Sequence, residues 1–212
     1  MKLYENDVSS AASRVRIALA LKGLTVERQA ITIFGADAEN RQADYLRVNP
    51  QGLVPALLAD EGTLITQSLA IVEYLDELHP EPPLLPANRE ARAFARSIAL
   101  AIASEIHALL PPRIAARLRA IPGMDANGVT DWNRHWIGEG MAALEARIAG
   151  RRTGAFVVGD RPSVADIFLF PQSVGAERAG LDLDQWPNIA DIIANLRGIP
   201  AFADHAPAAR RP

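Results

Sequence analysis

The chain has no cysteine among its 212 residues, which excludes disulfides, thiolate metal sites and a sulfur nucleophile carried by the protein itself. It has no basic run with interleaved aromatics either. Lys and Arg number 22 against 25 Asp and Glu, for a formal net charge of -3, and the arginines are scattered along helical stretches, so nucleic acid is not an expected partner. No apolar stretch approaches the roughly 18 uncharged residues that a membrane helix needs. The opening MKLYENDVSS lacks the positive-then-apolar pattern of a signal peptide, so no membrane association and a cytoplasmic location are expected. His79, His107, His135 and His205 are too dispersed to suggest a metal site, and none is expected. What remains is 49% apolar and 22% charged residues, a balance that suits one or two compact domains with real cores.

Residues 1–4 form a short apolar run, and residues 10–22 then place Val15, Leu19 and Leu21 with several alanines at helical spacing before Gly23, which reads as strand, loop and helix with Gly23 ending the helix. Residues 25–33 read as a second strand and 37–46 as a short polar helix. Residues 54–58 and 63–65, separated by the turn Asp60-Glu61-Gly62, carry a hairpin signal, and 67–78 return to helical register. The order βαβ, helix, ββα describes a mixed, open sheet rather than a doubly wound one. Residues 79–88, HPEPPLLPAN, hold four prolines, which cannot extend the preceding helix and mark a connector. Helical period dominates beyond it, at 89–110, 112–120, 131–149, from Ser163 onward, and at 188–196. The expected organisation is a mixed α/β domain over 1–78, a linker over 79–88 and an all-helical domain over 89–212, with the final APAARRP frayed.

Four segments could carry chemistry. Ser9, Ser10 and Ala11 lie where the first strand gives way to the first helix. Helix N-termini present unpaired N–H groups and a positive dipole end, so a hydroxyl there can steady negative charge; the plainer reading is an ordinary serine cap. In Asn49-Pro50-Gln51-Gly52-Leu53-Val54-Pro55 a proline follows a β-branched residue just before a strand. A cis bond there would turn the Val54 backbone outward to pair with an extended peptide. Gln67 and Ser68 open another helix and suit a carboxylate, or merely cap it. Ser163 with Asp166 three residues on is a capping-box pattern ahead of the apolar run 167–170, a folding element rather than a catalytic one.

Together these segments resemble the cytosolic glutathione transferase superfamily along essentially the whole chain: Gln67-Ser68-Leu69-Ala70-Ile71, Val54-Pro55 and the box at Ser163 each match a family element in order and spacing. SSAASRVRIALALKG, Glu105-Ile106-His107, Phe170-Pro171-Gln172, Ala176-Glu177-Arg178 and Leu181-Asp182-Leu183 are similar to its zeta class, which includes maleylacetoacetate and maleylpyruvate isomerases. The resemblance implies a thioredoxin-like domain with a mixed four-stranded sheet followed by a helical bundle, with glutathione as co-substrate or catalytic cofactor. It implies a homodimer, with part of the shared surface supplied by the half of the first domain between Pro55 and Leu78. By the same resemblance Ser9, with Ser10 and Ala11 at the same helix end, would stabilise the glutathione thiolate. Asn40, Gln51, Leu53, Val54, Pro55, Gln67 and Ser68 would complete the glutathione site. Arg178 and Arg113 would grip a carboxylate of a dicarboxylic substrate, and His107 would line the pocket.

The chain departs from the zeta pattern in carrying Ala11 where Cys is usual, Ser13 where several members have an aromatic, Leu53 where Gln stands and Ala179 where Phe stands. These changes weigh on substrate more than on class. The leading expectation is therefore a transferase whose serine-stabilised thiolate attacks small electrophiles. The alternative is a zeta-type cis–trans isomerase, which implies a place in aromatic amino acid catabolism, and a second alternative is a non-catalytic binding module on the same fold.

Overall fold

The structure is a computed structural model that describes residues 1–35 and 37–209. Two compact units divide the chain, one running from Met1 to Leu84 and including the C-terminal segment from Asp204, the other spanning Leu85–Ala203.

The first unit is built on β1 (Lys2–Glu5), α1 (Ser10–Leu21), β2 (Glu27–Ala30), α2 (Ala43–Val48), β3 (Ala56–Leu58), β4 (Leu64–Thr66) and α3 (Ser68–Leu78). Its strands form one four-stranded sheet in the order β2-β1-β3-β4. β1 runs parallel to β2 and antiparallel to β3, and β3 is antiparallel to β4. Leu3 pairs across the sheet with Leu57, and both are fully buried with Ile17, Ile71 and Leu75 of the two helices. Each such side chain stabilises the unit by about 1.5–3 kcal/mol relative to exposure. α1 ends as its sequence predicts. Gly23 has φ +64, its N–H bonds to the Ala20 carbonyl, and the N–H of Leu24 bonds to that of Leu19, the paired pattern of a Schellman close.

Two expectations need correction here. The polar helix expected over 37–46 is a 3₁₀ turn, Glu39–Arg41, followed by α2. Gln42 breaks the helix in extended conformation between them. The C-terminal stretch does not belong with the helical unit, nor is its described part loose: Ser13 Oγ donates to the His205 carbonyl at 2.6 Å and the Ala208 N–H to the Asp7 carbonyl at 2.8 Å. Residues 210–212 of that stretch lie outside the described residues. The proline-rich connector is fastened to the first unit at its start. Lys22, 8% exposed, donates to the Asp76 carboxylate and to the carbonyls of His79 and Pro82.

The second unit contains α4 (Arg89–Leu100), α5 (Pro112–Arg119), α6 (Ala126–Ala149), α7 (Val164–Arg178), α8 (Pro187–Arg197) and α9 (Pro200–Ala203). The helix expected over 89–110 stays α only to Leu100, then widens into a π segment, Ala101–Ile106, and closes as a 3₁₀ turn, His107–Leu109. α6 starts earlier than its periodicity suggested because Asp125 caps it, accepting from the Gly128 N–H at 2.8 Å. Among the described residues one helical run, Arg89–Arg119, is long and apolar enough by length and composition to cross a membrane. That run is interrupted by the π and 3₁₀ segments and by Pro111, and it buries Phe94, Ile98, Ile102 and Ile106 within its own unit. Its apolarity is therefore accounted for by a protein core.

Candidate functional site: two open helix N-termini

In the first unit the loop after β1 delivers Ser9 to the N-terminus of α1. Ser9 is the N-cap in extended conformation, and its Oγ accepts the Ala12 N–H at 3.2 Å. The capping reading of the sequence is thus correct, but it does not compete with a role in chemistry. A hydroxyl that accepts one bond keeps its own O–H to donate. Ser10 and Ala11 follow as the first residues of the helix, all three half-buried.

The N-terminus of α3 is made differently. Gln67, exposed, takes φ +70 and offers no side-chain cap, a left-handed conformation that costs a non-glycine residue about 1–3 kcal/mol and persists where the surroundings enforce it. Its amide Nε2 donates to the Gln51 Oε1 at 3.2 Å, so these two predicted residues meet. Ser68, 6% exposed, accepts from the Arg14 Nη1 at 3.2 Å. Arg14 is 1% exposed, and burial draws its pKa down to about 9, which still leaves the guanidinium charged at neutral pH. A buried cation therefore ties α1 to the start of α3, and the Ser68 O–H stays available.

Between these helices in sequence lies the Asn49–Pro55 turn. The Val54–Pro55 bond is cis, and the β3 ladder begins only at Ala56, paired with Tyr4, so Val54 stands just outside the paired strand. The Leu53 carbonyl accepts from the Tyr45 hydroxyl at 2.7 Å and from the Asn49 Nδ2 at 2.8 Å. Burial pushes the Tyr45 hydroxyl up to about 12, which keeps it a neutral donor. Leu53 thus serves through its backbone. The Asn40 Nδ2 donates to the Gly52 carbonyl at 2.7 Å, and a Cβ on Gly52, which has φ +62, would stand 2.7 Å from the Asn40 carbonyl oxygen, so only glycine fits this close approach. Asn40 acts here as a brace for the turn.

The remaining predicted residues belong to the helical unit. His107 is half-buried at the first residue past the π segment, Arg113 is exposed in the first turn of α5, and Arg178 is the last residue of α7. Partial burial lowers the Arg178 pKa, with Glu177 opposing the shift. The Ser163–Asp166 box is present: the Asp166 carboxylate accepts from the Ser163 N–H at 2.8 Å, the Ser163 hydroxyl at 2.9 Å and the Val157 N–H at 2.9 Å. Sequence reasoning missed Glu5, Arg14, Arg16, Tyr45 and Asn49 as supports of the site. The one signal for the two arginines was a charged residue on a helix otherwise made of Ala, Val, Ile and Leu. Among the described residues no group of three or more His, Asp or Glu is arranged to hold a metal.

Known proteins share this fold. The family model of the glutathione S-transferase N-terminal domain matches residues 8–78, and that of the C-terminal domain matches residues 137–195. The maleylacetoacetate isomerase of Pseudomonas aeruginosa is 43% identical over 208 residues, 98% of this chain and 96% of that protein. The holo structure of a maleylpyruvate isomerase, described as a bacterial glutathione S-transferase in the zeta class, matches with a TM-score of 0.92 at 37% identity, covering 99% of this chain and 98% of that one. The maleylacetoacetate isomerase of Methylobacterium extorquens AM1, solved with malonate and glutathione bound, matches with a TM-score of 0.92 at 37% identity over 100% of this chain and 98% of that one. With its mixed sheet, cis-proline turn, paired helix N-termini and helical second unit, the chain belongs to the glutathione S-transferase family, as a zeta-like member.

Proposed function

We propose that this protein is a glutathione-dependent cis–trans isomerase of a maleyl keto acid of the maleylacetoacetate or maleylpyruvate type. The observation that carries the reading is the α1 N-terminus, capped by a neutral hydroxyl with its O–H still to give, in a chain 43% identical to a maleylacetoacetate isomerase. The relatives' names favour isomerisation over the general conjugation that the sequence put first. The bound malonate of one relative favours a dicarboxylic substrate.

Glutathione suits the donor set: one helix N-terminus for its thiolate, another for its γ-glutamyl carboxylate, and an unpaired stretch of main chain for its peptide. When bound, it supplies a thiol that adds to the cis double bond and leaves after the bond has rotated, so that it is regenerated. Free thiols titrate near 8.5. The Ser9 O–H and the positive end of α1 favour the thiolate and lower that value. Val54 pairs through its backbone with the cysteinyl unit. Ser68 and Gln67, the latter steadied by Gln51, receive the γ-glutamyl carboxylate. Arg178 and Arg113, both exposed, are the two carboxylate grips, Arg178 the first of them, and the planar fork of each suits a carboxylate. His107 is a polar wall.

The test is the conversion of maleylacetoacetate or maleylpyruvate by the purified protein with and without glutathione, beside a chloronitrobenzene conjugation assay. Glutathione-dependent isomerisation that Arg178→Ala weakens through KM supports the reading. Conjugation without isomerisation would return the protein to the broad transferases, and glutathione binding with neither activity would make it a binding module.

A further inference from the structure

We infer that Arg16 is a positioning residue for the thiol-activating serine, and that the C-terminal Ala208 amide shares this task. The inference rests on the assignment of Ser9 as the thiolate stabiliser. Arg16 lies on α1 with 5% of its surface exposed. A buried guanidinium needs both a counter-charge and acceptors for its donors. The counter-charge is Glu5, the last residue of β1, 3% exposed, whose Oε2 takes Arg16 Nη1 at 2.5 Å. The remaining donors go to the loop that carries Ser9. Nη1 also meets the Asn6 carbonyl at 3.3 Å, and Nη2 meets the Asp7 carbonyl at 3.2 Å.

Asn6 and Asp7 leave Ser9 little freedom once they are fixed. The Ser9 N–H bonds to the Asn6 carbonyl at 3.0 Å. The Asn6 side chain closes the turn by accepting the Val8 N–H at 3.0 Å, and donates to the Ile31 carbonyl at 2.9 Å. The Asp7 carbonyl also receives the Ala208 N–H at 2.8 Å. One arginine thus holds two successive carbonyls of a three-residue loop from beneath, and the tail holds one of them from the other end of the chain. Among the described residues Ser9 has no comparable tie through its own side chain, which bonds forward to Ala12. The direction of its hydroxyl, and of the first N–H groups of α1, is therefore set by the loop. Arg28 supplies an internal comparison. It pairs with the same Glu5 through Oε1 and with the Asp7 carboxylate, but among the described residues it donates to no loop carbonyl.

The experiment titrates the thiolate absorbance of glutathione bound to the full-length protein and measures kcat and KM for the cis keto acid, in wild type, Arg16→Met, Arg16→Lys, Arg28→Met and Ala208→Pro. Arg16→Met is expected to raise the apparent thiol pKa by about one unit, about a tenfold change in the acid constant, with kcat at neutral pH lowered as the thiolate fraction falls and KM for glutathione nearly unchanged. Arg16→Lys, which keeps the charge beside Glu5, recovers part of the shift. Ala208→Pro removes a single N–H at an exposed position and shifts the titration in the same direction by less, and it carries the test if Arg16→Met does not fold. Arg28→Met leaves the titration in place. A thiol pKa at the wild-type value in the folded Arg16→Met protein, or in Ala208→Pro if that variant alone is available, overturns the inference, as does an equal shift in Arg28→Met. A wild-type complex whose thiol titrates like free glutathione would instead overturn the assignment of Ser9 itself.

Discussion

Three helices of this chain begin at a serine or just before one, and they are finished in two different ways. At α7 the N-terminus is closed: Ser163 and the fully buried Asp166 satisfy one another and the Val157 N–H, so a negative charge built into the protein already occupies the positive end of the helix. At α1 the cap is a half-buried neutral hydroxyl with no acidic residue in the first turn, and at α3 there is neither a side-chain cap nor an acidic residue in the first turn. A helix end that carries its own carboxylate is a folding element. One that lacks it leaves dipole and donors to an anion from outside. The same residue type therefore closes a helix end in the helical unit and leaves one open in the sheet-containing unit, where the proposed function places its chemistry.

The sharpest way to break this comparison is to remove each serine or acid and see which quantity moves. Ser9→Ala deletes a donor aimed at developing negative charge, and by analogy with a lost oxyanion donor it should lower kcat/KM about 10²–10³-fold. Its cost in stability should be only about 1 kcal/mol, the loss of a cap. Steady-state kinetics beside a denaturant melt separate the two.

Asp166→Ala should do the reverse. Leaving the Ser163 and Val157 donors buried and unpaired should cost about 2–4 kcal/mol of unfolding free energy, while the folded fraction keeps its activity per molecule. The wild type should also show a pH signature at this residue. Burial raises the Asp166 carboxyl from 3.8 to about 6, against hydrogen bonds that lower it. A folded value above the unfolded one means that the folded chain binds more protons in between. The contribution of Asp166 to stability is therefore full below about pH 4 and is lost as pH rises through about 6. Melts at intervals across that window should show this component in the wild type and not in Asp166→Asn.

Smaller effects sharpen the picture. Arg178→Ala should raise KM for the dicarboxylic substrate about 10- to 100-fold with little change in KM for glutathione, the scale of one charge-assisted pair. Gln67→Gly should relieve the positive φ and add about 1 kcal/mol of stability, while KM for glutathione rises because the amide is lost. A destabilised Gln67→Gly protein would mean that the backbone conformation is not strained.

The two units were not equally legible in the sequence. Local features were read correctly: Gly23 closing α1 and the Ser163–Asp166 box follow from residues a few positions apart, whereas the isomer of the Val54–Pro55 bond, which the sequence left open, and the strand order, which joins segments remote in sequence, came from the structure. The supports of the site were hidden because their partners are remote. Arg14 meets Ser68 across 54 positions and Ser13 meets His205 across 192, and no local pattern announces such pairs. The break of α4 into π and 3₁₀ turns ahead of His107 was hidden for a related reason, since an unbroken apolar period looks the same whichever ladder the backbone adopts. Ser9 was read as a choice between cap and chemistry; it is the cap, and a hydroxyl that accepts one bond keeps its O–H to donate, so the two readings do not exclude each other.

The central claim is that an open, serine-capped helix end turns bound glutathione into a thiolate that isomerises a cis keto acid. The most direct measurement is the rate of isomerisation of maleylacetoacetate or maleylpyruvate against glutathione concentration in the wild type and in Ser9→Ala at matched folded concentration. The account predicts a rate that is negligible without glutathione, saturates with it, and falls about 10²–10³-fold in the variant. A wild type that isomerises neither substrate with glutathione present, or a folded Ser9→Ala protein that keeps the wild-type rate, would contradict it.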